Sequence, residues 1–78
     1  MIIDLMKKKE WLDNLARNLK NERAKLKLSQ LGLAEKTRLS LATITRIEQK
    51  SIENPTLDTI DALGKALKKT DPLDLLKK

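Results

Sequence analysis

The stretch Gln30–Gln49, QLGLAEKTRLSLATITRIEQ, decides the fold. Ser29 precedes it and Ser40 lies within it, and each carries a hydroxyl suited to accept from a backbone N–H in the first turn of a helix. The spacing predicts two short helices, Gln30 to Lys36 or Thr37 and Leu41 to about Gln49, joined by about three or four residues. At about 100° per residue, Ile44, Ile47 and Glu48 share one side of the second helix. Ala42, Thr45, Arg46 and Gln49 share the other, flanked by Leu41 and Thr43. The first side has two β-branched apolar residues that can lock onto neighbouring helices. The second has a small residue, a hydroxyl, a guanidinium and an amide.

Outward from this centre the pattern stays helical. Leu12, Leu15, Leu19 and Leu26, with Ala16 and Arg23 filling in, recur at helical steps and predict a first helix from about Glu10 to Leu26. Thr56 caps a fourth helix, Leu57 to about Lys68, with an expected buried stripe of Leu57, Ile60, Leu63 and Leu67. Asp58 and Asp61 sit near the positive end of its dipole, and Lys65, Lys68 and Lys69 near the negative end. Asp71-Pro72 opens a short fifth helix through Leu76, and Asn54-Pro55 is the strongest breaker. No strand candidate or internal repeat emerges, so the expectation is a small all-α domain of five unequal helices.

Composition narrows the function. A chain of 78 residues makes one domain at most. It has no cysteine, histidine or tyrosine, and Trp11 is its one aromatic residue. The usual zinc ligands and the commonest acid–base and nucleophilic groups are therefore missing, and no spacing of carboxylates, Ser, Thr and Lys suggests a reacting site. No enzyme, metal site or cofactor is expected. The apolar Met1–Met6 segment is too short for a signal-peptide core and precedes the Lys7–Lys9 run instead of following it. No run reaches transmembrane length, so no membrane association is expected and the expected location is cytoplasmic.

The net charge is +6, and its placement is uneven. Residues 1–26 hold seven basic and four acidic side chains, residues 27–50 five and two, and residues 51–78 five and five. This fits a polyanion met by the first two thirds of the chain, and equally a solvated lysine-rich surface. The outward face at Leu41–Gln49 sharpens the first reading, since its groups suit base edges in a DNA major groove. Arginine bonds guanine O6 and N7, glutamine pairs with adenine, and the alanine or threonine methyl meets the thymine methyl. An ordinary amphipathic helix with a solvated face has a similar composition.

Across Leu15–Leu76 the sequence resembles the phage Cro/CI repressor (Xre-type) helix-turn-helix family. Three pieces in register carry the resemblance: Leu28-Ser29-Gln30-Leu31-Gly32-Leu33-Ala34-Glu35-Lys36, Leu39-Ser40-Leu41-Ala42-Thr43-Ile44-Thr45-Arg46-Ile47-Glu48, and Asn54-Pro55-Thr56-Leu57. It implies a compact five-helix, lambda-repressor-like DNA-binding domain over residues 15–76, with the motif at 30–49. Residues 1–14 are then an N-terminal extension and the start of helix 1. The implied function is a sequence-specific regulator of transcription on double-stranded DNA, a repressor that binds a palindromic operator as a homodimer. The alternative is an antitoxin or other protein-interaction module that neutralises a partner protein, with or without autoregulatory DNA binding.

The resemblance also implies residue roles. Base-reading positions fall on Leu41, Ala42, Thr45 and Arg46, and positions near the DNA backbone on Gln30 (which also braces the first reader), Arg38, Ser40, Thr43, Gln49 and Lys50. Arg23 and Glu48 match a structural ion pair that ties the first helix to the reading helix. Ala34 is the small residue that allows close approach of the two motif helices. Two surfaces are dimer candidates or completions of the core: Leu73, Leu75 and Leu76, and Ile2, Ile3, Leu5, Met6 and Trp11. The chain departs from the family where glycine is common, after helix 1, between helices 2 and 3, and after helix 3. Those places hold Lys27, Arg38 and Lys50. Either they stay left-handed at a cost of roughly 1–2 kcal/mol each, with Arg38 and Lys50 gaining phosphate contacts, or the turns differ. Gly32 instead falls inside helix 2, where it costs about 1 kcal/mol relative to alanine.

Overall fold

The computed structural model describes residues 7–51 and 55–78. Among these residues, four α-helices run in chain order: α1 Lys7–Lys25, α2 Gln30–Thr37, α3 Leu41–Glu48 and α4 Leu57–Ala66. A 3-10 helix, Pro72–Leu76, follows them, and no strand occurs among the described residues. The expected fifth α-helix is thus a single tight turn. Asp71 caps it by accepting from Leu73 N–H at 3.0 Å, and its five residues start on a proline. A segment this short closes more readily with i→i+3 bonds than with α-helical ones.

Each start is set by a side chain. Ser29, Ser40 and Thr56 all have extended backbone and accept from the N–H three residues on, that of Gly32, Thr43 and Thr59. Ends are set by left-handed residues. Lys27, Lys50 and Lys68 have φ of 56°, 62° and 61°. Around each, two crossed backbone bonds close the helix end: Leu28 N–H to Arg23 O and Lys27 N–H to Ala24 O at the end of α1, with the same pair after α3 and α4. Arg38 is the fourth left-handed residue, φ 65°. Its turn is braced by Thr37, whose hydroxyl donates to Leu33 O at 2.9 Å and accepts from Leu39 N–H at 3.2 Å. The left-handed geometry is therefore retained without glycine at Lys27, Arg38 and Lys50. Both glycines lie inside helices.

The core gathers Leu15 and Leu19 of α1, Leu33 and Ala34 of α2, Ile44 and Ile47 of α3, Leu63 of α4, Leu67, and Leu75 of the 3-10 turn. Complete burial of a leucine or isoleucine stabilises by about 1.5–3 kcal/mol, so these residues define the architecture. Trp11, Leu28, Leu39 and Leu76 pack against the cluster while half-buried. Two residues of the expected apolar stripes are exposed. Leu57, at the first position of α4, is 73% exposed, because the inward face of that helix begins at Ile60. Leu26 lies beyond the last turn of α1, where the chain reverses at Lys27, and is exposed. Ile2, Ile3, Leu5, Met6 and Asn54 lie outside the described residues.

Two asparagines of α1 stitch that helix to the residues of the last turn. Asn14 Nδ2 donates to Leu76 O at 3.0 Å, and Asn18 Nδ2 donates to Leu75 O at 2.9 Å and Lys77 O at 2.7 Å. The carbonyls that the 3-10 turn leaves unpaired find donors on α1. Asn14 and Asn18 sit i and i+4 beside Leu15 and Leu19, amid an otherwise apolar stripe, which is the sequence signal for such a role.

Candidate nucleic-acid interface

α3 is held from behind. Ile44 and Ile47 are inaccessible or nearly so, and Glu48 is only 4% exposed. Arg23 of α1 grips that carboxylate bidentately, Nε to Oε2 at 2.8 Å and Nη2 to Oε1 at 3.0 Å, and its Nη1 donates to Leu28 O at 2.9 Å. Gln30 Nε2 adds a third bond, to Glu48 Oε1 at 2.8 Å. Burial opposes ionisation of Glu48. The bonds from Arg23 and Gln30, with the charges of Arg23 and Lys20, outweigh it and hold the carboxyl below its ordinary value. The bond to Glu48 raises the Arg23 pKa in turn, against the opposing effect of burial. One carboxylate therefore fixes the tilt of α3 against both α1 and α2.

The opposite side of α3 faces out. Leu41, 43% exposed, stands at its start, followed by Ala42, Arg46 and Gln49, all exposed. Thr45 is half-buried among them, and its hydroxyl donates to Gln30 Oε1 at 3.1 Å. The Gln30 amide thus engages Glu48 on one side and Thr45 on the other. Ser40 and Thr43 share a hydroxyl–hydroxyl bond of 2.9 Å at the N-terminus of α3, where Ser40 also caps the helix.

Two cations flank this surface. Arg38, left-handed and exposed, occupies the turn between α2 and α3. Lys50 follows α3, also left-handed and exposed, with its Nζ 3.4 Å from Asp13 of α1. Both partners of that pair are about half exposed, so it contributes no more than about 1 kcal/mol and gives way readily to a stronger anion. Sequence reasoning missed the Lys50–Asp13 pair, which joins residues far apart in the chain. It also missed the left-handed Lys68, which has no part in this surface.

Residues 19–75 match the helix-turn-helix family model, so the chain belongs to the helix-turn-helix family, of the Cro/CI repressor (Xre) type. No curated protein and no solved structure gives a match. The family is one of DNA-binding domains that regulate transcription, and the shape and chemistry of α3 belong to that class. None of the helices among the described residues is long and apolar enough to cross a membrane.

Proposed function

We propose that this protein is a sequence-specific regulator that inserts α3 into the major groove of double-stranded DNA and represses transcription by occupying a palindromic operator as a dimer. The observation that carries this reading is the division of α3. Ile44, Ile47 and Glu48 anchor one side, while Leu41, Ala42, Thr45 and Arg46 stand together on the other. A groove about 12 Å wide admits such a helix, and fixed side chains on its outer face meet base edges. In this reading Arg46 reads guanine, and Leu41 and Ala42 meet thymine methyls. Gln30, Arg38, Ser40, Thr43, Gln49 and Lys50 seat the helix on phosphates, with the N-terminus of α2 adding backbone N–H groups that no helical carbonyl can reach. Arg23 and Glu48 stay internal.

Two reading helices of such a dimer lie about 34 Å apart, one turn of DNA. Of the apolar side chains considered for the dimer surface, Leu75 and Leu76 are taken by the core, as is Trp11 in part. Leu73, 47% exposed, instead lines a groove with Leu57, Ile60 and Pro72. We assign that groove to the second copy. In-vitro selection of bound duplexes at stated salt, with the mass of the free and bound protein measured in solution, tests the proposal. A palindrome recovered by a dimer is expected; binding without sequence preference would defeat it.

A further inference from the structure

The polar chain behind α3 has a direction, and that direction reaches the DNA-facing surface. A carboxylate has acceptors only, so the nearly buried Glu48 must face the nitrogen of the Gln30 amide and not its oxygen. The amide is planar, and its oxygen is therefore turned toward Thr45 at 3.1 Å. An amide oxygen cannot donate. The single hydroxyl hydrogen of Thr45 is thus committed inward, and only its lone pairs are left for a ligand.

We infer that Gln30 is a positioning residue that makes Thr45 an acceptor-only reader of DNA, selecting a base that presents an exocyclic amino group. In the major groove those groups are adenine N6 and cytosine N4, whereas guanine O6 and thymine O4 are acceptors and repel the hydroxyl oxygen. Thr45 then favours adenine or cytosine over guanine or thymine at one position of each half-site. The inference rests on the reading of α3 as a base reader. It differs from a thymine contact by the Thr45 methyl, which would give the opposite preference. It also differs from a role of Gln30 limited to phosphate, which would give none.

In-vitro selection with the wild type, Thr45→Val, Thr45→Ser and Gln30→Ala tests it. The wild type is expected to show one half-site position restricted to adenine or cytosine. Thr45→Ser retains the restriction because the hydroxyl and its partner remain. Thr45→Val removes the acceptor at nearly constant shape and lowers discrimination there by roughly five- to tenfold. Gln30→Ala frees the hydroxyl hydrogen, and the same position becomes tolerant of guanine and thymine. Thermal melting of Gln30→Ala reports the cost to the fold, while Thr45→Val leaves every bond to Glu48 in place. Independently of DNA, the Thr45 hydroxyl proton should exchange slowly enough to be seen by NMR in the wild type and not in Gln30→Ala. A restriction that survives both Thr45→Val and Gln30→Ala, or thymine favoured at that position, overturns the assignment while leaving α3 a reader. A wild type without any preference overturns the reading of α3 and the assignment with it.

Discussion

Glu48 is the residue on which the motif turns. It is nearly inaccessible, held by three hydrogen bonds, and joined to α1 and α2 at once. Its carboxyl lies below the ordinary value of 4.5 in the folded state. The stability it contributes is therefore present in full above that value and is lost as pH falls through the lower folded value. Melting temperature recorded from neutral pH downward should fall on the acid side in the wild type and fall less steeply in Glu48→Gln, which starts from a lower plateau. On the outer face, the roles proposed for the exposed cations Arg46 and Lys50 differ. Arg46→Ala should relax preference at one base pair and weaken operator binding by about 1–3 kcal/mol. Lys50→Ala should weaken all duplexes alike and reduce the slope of log affinity against log salt by about one. Quantitative gel shifts on operator and scrambled duplexes over a salt series separate the two.

Helix ends set the second scale. All four left-handed residues among the described residues are basic, where a residue without a Cβ would be least strained. Lys68 carries that strain away from the proposed DNA surface, so Lys68→Gly should stabilise the fold by about 1 kcal/mol with operator affinity unchanged, measured by denaturant unfolding and gel shift. The glycine inside α4 has the opposite logic. A Cβ on Gly64 would stand 2.7 Å from Pro72 Cβ and 2.8 Å from Pro72 Cα, too close without moving the 3-10 turn. Gly64→Ala should therefore destabilise by about 1–3 kcal/mol despite the better helix propensity of alanine, and calorimetry reads the sign. Gly32 is a milder case: its added Cβ would meet the capping Ser29 Oγ at 3.2 Å.

At the scale of the molecule, α1 extends well before residue 19, where the family match begins, and this added length is integral to the core. Leu15 and Ala16 are buried in it, and Asn14 and Asn18 hold the last turn of the chain. With that turn in place, Leu57 and Leu73 are left as large exposed apolar side chains on one groove. Leu57→Asp should abolish a dimer seen by sedimentation and weaken palindrome binding more than half-site binding, with little change in melting of the monomer. An unchanged mass would place the pairing surface elsewhere.

The sequence by itself determined the order of the helices and the position of the motif. Caps at Ser29, Ser40 and Thr56 act on the nearest few residues, and the apolar periodicity of α1, α3 and α4 is written in single residues. The outward grouping of Ala42, Arg46 and Gln49 follows from helical pitch alone. What only the tertiary structure decided are relations between distant residues: which lone pairs of Thr45 remain free, the Asn14 and Asn18 bonds to the last turn, and the exposure of Leu57. Periodicity says which side of a helix is apolar, but not where the neighbouring helix stops. The length of the last turn was likewise beyond it, because five residues after a proline are an α-turn or a 3-10 turn according to what they pack on. The Gln30 amide shows the physical reason most plainly. Its type is written in the chain, but its orientation is imposed by a carboxylate eighteen residues away, and that orientation sets what α3 offers to a ligand.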